Sequence, residues 1–243
     1  MASYTPTVSL DDPRTSTGGN GVLPPHRYDG DDFGLPFFDV RLRRARLGLL
    51  VGLTGIAMIF ISFTSAYVVR QGLPTLDPRS NALLHDWFPV PLPRLLFINT
   101  VVLLISSVTM ELARRQTARK VALAQLTSVP GVAVEAKEGI SWLALTVVLG
   151  LSFLTGQWMA WRELAASGFY IASSPSSSFV YLLTGMHGVH LLGGVVALLI
   201  AGFTFGLRRT TDSQFILVDV TGWYWHFMAL LWVYILCLLE FVH

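Results

Sequence analysis

The chain has 243 residues, of which 53% are hydrophobic and only 13% are charged, and its formal net charge is +2. This composition is too apolar and too poor in charge for an ordinary soluble domain, so it predicts an integral membrane protein. The single cysteine, Cys237, excludes an intrachain disulfide and any multi-cysteine zinc or iron–sulfur site. Because basic residues in a membrane protein report sidedness, we expect no nucleic-acid partner.

The first 40 residues are rich in Pro, Gly, Ser, Thr and Asp and contain no apolar run like a signal-peptide core. We therefore expect a flexible cytoplasmic tail over 1–40 and a transmembrane domain over 41–243. Five apolar runs in that domain have about the 20 residues that a helix needs to cross a bilayer. They predict an all-α, polytopic membrane protein with five transmembrane helices, at 47–69, 95–113, 139–161, 179–207 and 220–239.

Basic residues concentrate in alternate connecting segments. If the amino terminus is inside, the outer segments hold Arg70, Arg79, Arg94 and Arg162. The inner segments then hold the larger group: Arg41, Arg43, Arg44, Arg46, Arg114, Arg115, Arg119, Lys120, Lys137, Arg208 and Arg209. This bias predicts a cytoplasmic amino terminus and a carboxy terminus outside.

The fourth run contains an unusual group of polar and small residues. His187 and His190 are three positions apart and share a helix face, and Gly185, Gly188 and Gly193 leave room for a neighbouring helix. Imidazoles in hydrocarbon need a hydrogen-bond partner or a ligand inside the bundle. The sequence favours a structural histidine between helices, while a metal or heme ligand stays open.

The fifth run opens with Gly-Trp-Tyr-Trp-His-Phe, in which His226 also needs an internal partner. His187, His190 and Gln157 are the candidate partners. Axial heme ligation would need two histidines at matching depth, and His226 is displaced along the helix axis from the histidines of the fourth run. A b-type membrane cytochrome is therefore a less favoured alternative. No Asp or Glu is expected well inside a span, which disfavours a transporter, and Glu111 should pair with neighbouring arginines.

Two motifs resemble a known family, subunit III of the heme–copper oxidases in its short five-helix form. They are Thr184-Gly-Met-His-Gly-Val-His190, with Gly193, and Trp223-Tyr-Trp-His-Phe227, followed by Trp232. The resemblance covers about residues 47–240. Weaker matches in the first three helices are Ala66-Tyr67, Asn99-Thr100, Ser106-Ser107, Thr109, Leu149-Gly150 and Gln157.

The chain departs from the family pattern at three carboxylate positions. Gly55, Ile56 and Ala57 stand where the first of these helices commonly has an acid, and Ala160 and Ala229 replace acids of the third and fifth helices. By contrast, Arg208 and Asp219 match the family's basic residue after the fourth helix and its acidic residue before the Trp-Tyr-Trp-His-Phe motif.

The resemblance implies a subunit of an oxidoreductase complex that has no redox centre of its own, with heme and copper in the partner subunits. It would stabilise catalytic subunit I, contact subunit II and possible small accessory subunits, and support proton uptake in aerobic electron transport. A phospholipid would lie in a cleft between the first two helices and the other three. The implied location is a bacterial cytoplasmic membrane. Cytochrome c is the preferred electron donor, and a quinol oxidase, a nitric oxide reductase accessory subunit or an unrelated scaffold are the alternatives.

We expect no catalytic or metal-binding residue in this chain. Arg208, Arg209 and Tyr67 are the candidate lipid-binding residues, because guanidiniums at headgroup depth can bind a phosphate bidentately. The candidate polar residues between helices are Gln157, Thr184, His187, His190, Asp219, Trp223, Trp225 and His226.

Overall fold

Five long helices make up most of the described chain, which in this computed structural model comprises residues 35–76, 83–84, 87, 90, 92–126, 138–171, 173–206 and 211–241. The helices are α1 Leu35–Gly72, α2 Leu95–Leu126, α3 Glu138–Ala166, α4 Pro175–Gly206 and α5 Thr211–Phe241. Each is long and apolar enough to cross a membrane. The predicted all-α fold with five spans is therefore confirmed. Between α1 and α2, the two-residue strands β1 Thr75–Leu76 and β2 Leu83–Leu84 pair antiparallel.

Several helices extend well beyond the predicted spans. Helix α1 begins at Leu35 rather than at 47, and α5 begins at Thr211 rather than at 220. Arginine is a good helix former, so a basic segment beside an apolar run does not end the helix. Hydropathy therefore marks the apolar part of each helix and misses its polar turns. Most of the predicted tail over 1–40 lies outside the described residues.

Helix α5 occupies the centre of the packing, in contact with α1, α2 and α4, while α3 packs against α2 and α4. The predicted division of the first two helices from the other three is wrong for the described residues, because α1 and α2 do not contact each other. Polar contacts instead join α2 to α3. Asn99 Nδ2 donates to the Phe153 carbonyl at 2.9 Å, and the hydroxyls of Thr109 and Thr146 are 2.8 Å apart.

Two tryptophans of α5 fill the core and also satisfy their own polar atoms. Trp225 and Trp232 are almost fully buried. The Trp225 Nε1 donates to Ser106 Oγ at 3.1 Å, and the Trp232 Nε1 donates to Thr100 Oγ1 at 2.9 Å. Both indole N–H groups therefore find acceptors on α2, as buried polar groups in hydrocarbon require. Trp223, by contrast, is 52% exposed on the outer surface of the bundle.

Close helix contacts with α5 occur at glycines other than those expected. A Cβ at Gly150 would lie 2.8 Å from the Trp225 ring, and a Cβ at Gly194 would lie 2.9 Å from the Tyr224 ring. At Gly188, by contrast, a Cβ would meet no described atom within 4 Å. The packing of α5 against α3 and α4 therefore depends on Gly150 and Gly194 rather than on Gly185, Gly188 and Gly193. The reason is that the indole of Trp225 needs space from both helices.

We expect Gly150→Ala to destabilise the helix bundle, since the new methyl group must displace the buried Trp225 ring. Overpacking of this kind costs about 1–3 kcal/mol. The measurement is the midpoint of thermal unfolding in detergent, followed by tryptophan fluorescence. Gly188→Ala is the matched control and should leave the midpoint nearly unchanged. Equal shifts in the two variants would contradict the proposed packing.

Candidate functional site

A buried carboxylate lies where α1, α2 and α5 meet. The side chain of Asp219 in α5 is 0% exposed. Its Oδ2 accepts a hydrogen bond from Arg46 Nε of α1 at 2.8 Å, and its Oδ1 accepts one from Arg114 Nη1 of α2 at 3.1 Å. One acid therefore binds an arginine from each of two helices that do not contact each other.

Further ion pairs extend from this carboxylate along α2. Arg114 donates to both oxygens of Glu111, at 2.8 and 3.1 Å, and Arg115 Nε donates to Glu111 Oε1 at 2.7 Å. The predicted pairing of Glu111 with neighbouring arginines is confirmed. We call Arg46, Glu111, Arg114, Arg115 and Asp219 the Asp219 cluster. Its members lie at one end of the bundle, where α1 and α5 begin and α2 approaches its end.

The expectation that no acid lies well inside a span is wrong at Asp219. The predicted fifth span began one residue later, at 220, so the acid was placed outside the helix. In the structure α5 has already made more than two turns before Asp219. An isolated carboxylate would be costly in this position, and its two arginine partners offset that cost. The sequence did not predict Arg46 as a partner of Asp219, although both residues lie at the same predicted end of the bundle.

His226 binds α2 instead of the predicted partners His187, His190 or Gln157. Its Nδ1 forms a 2.6 Å hydrogen bond with Ser107 Oγ, and its Nε2 lies 3.5 Å from Glu111 Oε2. The predictions failed because they assumed that this face of α5 points toward α4 or α3. His226 lies seven residues, or about two helical turns, after Asp219 in α5, and it therefore extends the Asp219 cluster deeper into the bundle.

His187 lies in an aromatic environment between α3 and α5. Its ring is fully buried, with centroids 5.0 Å from Trp232 and 6.0 Å from Phe153. Neither of its nitrogens, nor either polar atom of the buried Gln157 side chain, has a hydrogen-bond partner among the described residues. The predicted role of His187 and Gln157 as polar links between helices is thus without support from hydrogen bonds in this part of the chain.

Two other predicted residues of α4 do have partners. Thr184 Oγ1 accepts a hydrogen bond from the Trp161 Nε1 of α3 at 3.1 Å, which is a direct polar link between helices. His190 Nδ1 donates to the Met186 carbonyl of its own helix at 2.8 Å. A second contact joins the backbone of His190 to α5, because its carbonyl accepts from the Tyr224 hydroxyl at 2.8 Å.

The described histidines do not fit a bis-histidine heme site. His226 binds Ser107, His190 binds its own helix, and His187 stacks beside Trp232. His226 follows Trp225, which packs at Gly194, so His187 lies about seven α4 residues, or roughly 10 Å, away along the axis. In the described part of the chain no three His, Cys, Asp or Glu residues are grouped as metal ligands would be.

The predicted lipid-binding residues divide into two sets. Arg208 and Arg209 lie outside the described residues. Tyr67 is 3% exposed, and its ring packs edge-on against Trp87 and Phe179, with centroid distances of 5.0 and 5.8 Å. The Tyr67 ring therefore contacts protein on these sides, and its role toward lipid stays a prediction.

Removing both arginines from Asp219 should destabilise the bundle by more than the two single replacements together. Arg46→Gln leaves Asp219 paired with Arg114, and Arg114→Gln leaves it paired with Arg46. The double variant leaves an unpaired buried carboxylate, which costs about 3–5 kcal/mol. The measurement is the thermal midpoint of the four proteins in one detergent, with exposed Arg43→Gln as the control. Strictly additive shifts would show that the two ion pairs act independently.

Replacing His226 should destabilise the bundle more than replacing His190 does, because His226 joins α2 to α5. His226→Leu leaves Ser107 and Glu111 without that partner, and membrane hydrogen bonds average about 0.6 kcal/mol, with a maximum near 1.7. His190→Leu removes a hydrogen bond within α4 and an edge contact with the Phe60 ring of α1, and it leaves no polar group of another helix without a partner. The measurement is the thermal midpoint of each variant in one detergent. A larger decrease with His190→Leu would contradict this ranking.

Comparison with known proteins agrees with this arrangement. A family model described as cytochrome c oxidase subunit III matches residues 39–242, which include all five spans except the first residue of α1's span. Among curated relatives, a "Probable cytochrome c oxidase subunit 3" of Mycobacterium tuberculosis is 34% identical over 101 residues, and that of Mycobacterium leprae is 36% identical over 106 residues. A "Cytochrome c oxidase subunit 3" of Danio rerio is 29% identical over 195 residues.

The matches differ in how much of each chain they cover. Each mycobacterial match covers 42% of this chain and 50% of the relative, and the Danio rerio match covers 78% of this chain and 66% of the relative. The chain thus spans about half the length of the mycobacterial relatives it matches. The family model covers most of the chain, including the Asp219 cluster and both sequence motifs. The chain belongs to the cytochrome c oxidase subunit III family.

Proposed function

We propose that this chain is the non-catalytic subunit III of a respiratory heme–copper terminal oxidase of the cytochrome c type. The family match over residues 39–242 is the observation that carries this proposal. The site geometry is consistent with it, because the described histidines serve helix packing and do not converge as ligands. Heme and copper would belong to the partner subunits, and this chain would contribute no redox centre to the oxidoreductase complex.

The chain would stabilise catalytic subunit I, with further contacts to subunit II and small accessory subunits. Helix α1 supports this role, since among the described helices it contacts only α4 and α5 and leaves most of its apolar surface uncovered. Leu50, Val51, Met58 and Ile61 are each more than 60% exposed on α1. This surface can pack against lipid or against a helix of the partner subunit.

Support of proton uptake would be indirect. The described carboxylates within the charged end of the bundle, Asp219 and Glu111, are both held by arginines. A carboxylate that is fixed in this way stabilises a helix junction and provides no free site for a proton in transit. We infer that the chain acts on proton uptake by holding the catalytic subunit in its working arrangement.

The proposed location is the bacterial cytoplasmic membrane, with the amino terminus cytoplasmic and the carboxy terminus outside. Contacts between Arg46, Arg114 and Asp219 support this orientation, because they place the basic turns of α1 and α2 at one end of the bundle. In the sequence, Arg208 and Arg209 stand between α4 and α5, and α5 begins at this end. We propose that these two arginines bind a phospholipid headgroup there and that Tyr67 borders the acyl chains.

Other oxidase types differ from this proposal mainly in the electron donor, which would bind to other subunits. A quinol oxidase subunit or a nitric oxide reductase accessory subunit is therefore the second candidate. The names of the relatives favour cytochrome c. A b-type membrane cytochrome is disfavoured by the separation of His187 from His226 and by the hydrogen bond between His226 and Ser107.

Copurification from native membranes tests the proposed function. After mild solubilisation, an affinity tag on this chain should recover a stoichiometric heme–copper subunit and an oxygen-consuming activity driven by reduced cytochrome c. After dissociation, this polypeptide should show no heme band in a reduced-minus-oxidised spectrum. A b-type band in the isolated polypeptide, or recovery without any heme protein, would overturn the proposal. Activity with quinol but not with cytochrome c would select the second candidate.

A further inference from the structure

A pocket of about 470 Å³ lies at the end of the bundle opposite the Asp219 cluster, between α3 and the start of α4. Trp158, Trp161 and Arg162 of α3 form one side, and Tyr170 and Ile171 of the connection form the other. Trp158, Tyr170 and Ile171 are each more than 60% exposed, so the pocket is open to its surroundings. Its walls are aromatic and aliphatic, and Arg162 is the cation among its lining residues.

The position of the pocket along α3 matches the boundary between hydrocarbon and headgroups. The span of α3 ends at Ala166, so Arg162 lies one turn inside that end and Trp158 one further turn inside. Four residues of helix correspond to about 6 Å. A long arginine side chain at this depth extends toward the headgroups, while tryptophan and tyrosine are favoured at the same boundary.

The backbone beneath the pocket is held in place by a defined helix end. Gly168 has φ of 87°, a left-handed conformation that glycine adopts without strain. The N–H of Phe169 bonds to the Leu164 carbonyl at 3.1 Å, and the N–H of Gly168 bonds to the Ala165 carbonyl at 3.0 Å. These two bonds form a Schellman motif, which ends α3 and turns the chain back toward Arg162.

Serines at the start of α4 fix the other wall. Ser174 Oγ accepts from the Ser177 N–H and Ser177 Oγ accepts from the Ser174 N–H, both at 3.2 Å, as in a capping box. Ser173 Oγ and Ser177 Oγ donate to the Tyr170 carbonyl at 2.8 and 2.9 Å. The Tyr181 hydroxyl, in addition, donates to the Phe169 carbonyl at 2.9 Å. The wall is thus formed before any ligand binds, which lowers the entropic cost of binding.

We propose that this pocket binds one phospholipid, with its phosphate on Arg162 and an acyl chain against Trp158 and Ile171. An exposed guanidinium beside apolar rings matches a molecule with an anionic head and a hydrocarbon tail. A lipid of the leaflet at this end of the bundle meets both requirements at the depth found for the pocket. The site differs from the one proposed at Arg208 and Arg209, which lies at the other end. It depends on the membrane spans and not on the identity of the oxidase.

Photolabelling of the intact complex tests this site. The complex that contains the chain is placed in phosphatidylcholine nanodiscs with a minor fraction of phosphatidylglycerol that has a photoreactive headgroup, and labelled peptides are identified by mass spectrometry. Label should appear within 158–171 in the unmodified chain. Arg162→Gln should reduce it roughly five-fold, as the loss of one basic residue at an anionic membrane surface predicts. Arg162→Lys should retain part of it, since a cation remains.

Arg94→Gln is the matched control, because Arg94 is an exposed arginine at the same end of the bundle and lies outside the pocket. It should leave the labelling of 158–171 unchanged. Equal labelling in the unmodified chain and in Arg162→Gln would overturn the proposal. So would label transfer to a partner subunit instead of to lipid, which would show that protein covers the pocket. Competition by inorganic phosphate down to the Arg162→Gln level would identify a free-phosphate site and overturn the lipid assignment.

Discussion

The ion pair between buried Asp219 and two arginines determines how α1 joins the rest of the bundle. Among the described helices, α1 contacts only α4 and α5, and almost none of its most apolar stretch is buried. Apolar packing against lipid and against protein is similar in a membrane, so it supplies little force to hold such a helix in one place. The Arg46–Asp219 bond at one end and the Tyr234–Thr64 hydrogen bond toward the other fix α1 along α5.

Helix α5 can hold α1 and α2 together because its polar and aromatic residues point to different neighbours. Trp225 and Trp232 are seven residues apart, so they share one face, and each donates to a hydroxyl of α2. Glycines on the flanking helices provide the space for Trp225, at Gly150 in α3 and at Gly194 in α4. The aromatic motif is therefore a structural element of the bundle core as well as a boundary signal.

The sequence predicted the number of helices because each apolar run is long enough to span a bilayer, but it did not predict their ends. The polar turns that contain Arg46 and Asp219 precede the apolar runs of α1 and α5 but belong to the same helices. It also predicted that His226 needs a partner and named the wrong ones. Which neighbour a helix face meets depends on how the helix is rotated in the bundle, and a single chain's residue spacing contains no such information. The resemblance identified Asp219 as a position of interest, whereas its partners appeared only in the structure.

Two of the three carboxylates that this chain lacks relative to the family pattern, those of the third and fifth helices, fit the way its interior is packed. Ala160 and Ala229 are 2% and 3% exposed, so an acid at either position would be enclosed by protein and would need a cation or a hydrogen-bond donor nearby. The described interior already contains His187 and Gln157, whose buried polar atoms have no partner among described residues. Two further acids would add to that desolvation cost. In this chain, buried negative charge is instead placed at Asp219, where arginines from two helices converge on it. Among the described residues, the buried carboxylate Asp219 therefore lies where it joins helices, while the rest of the interior is mainly apolar.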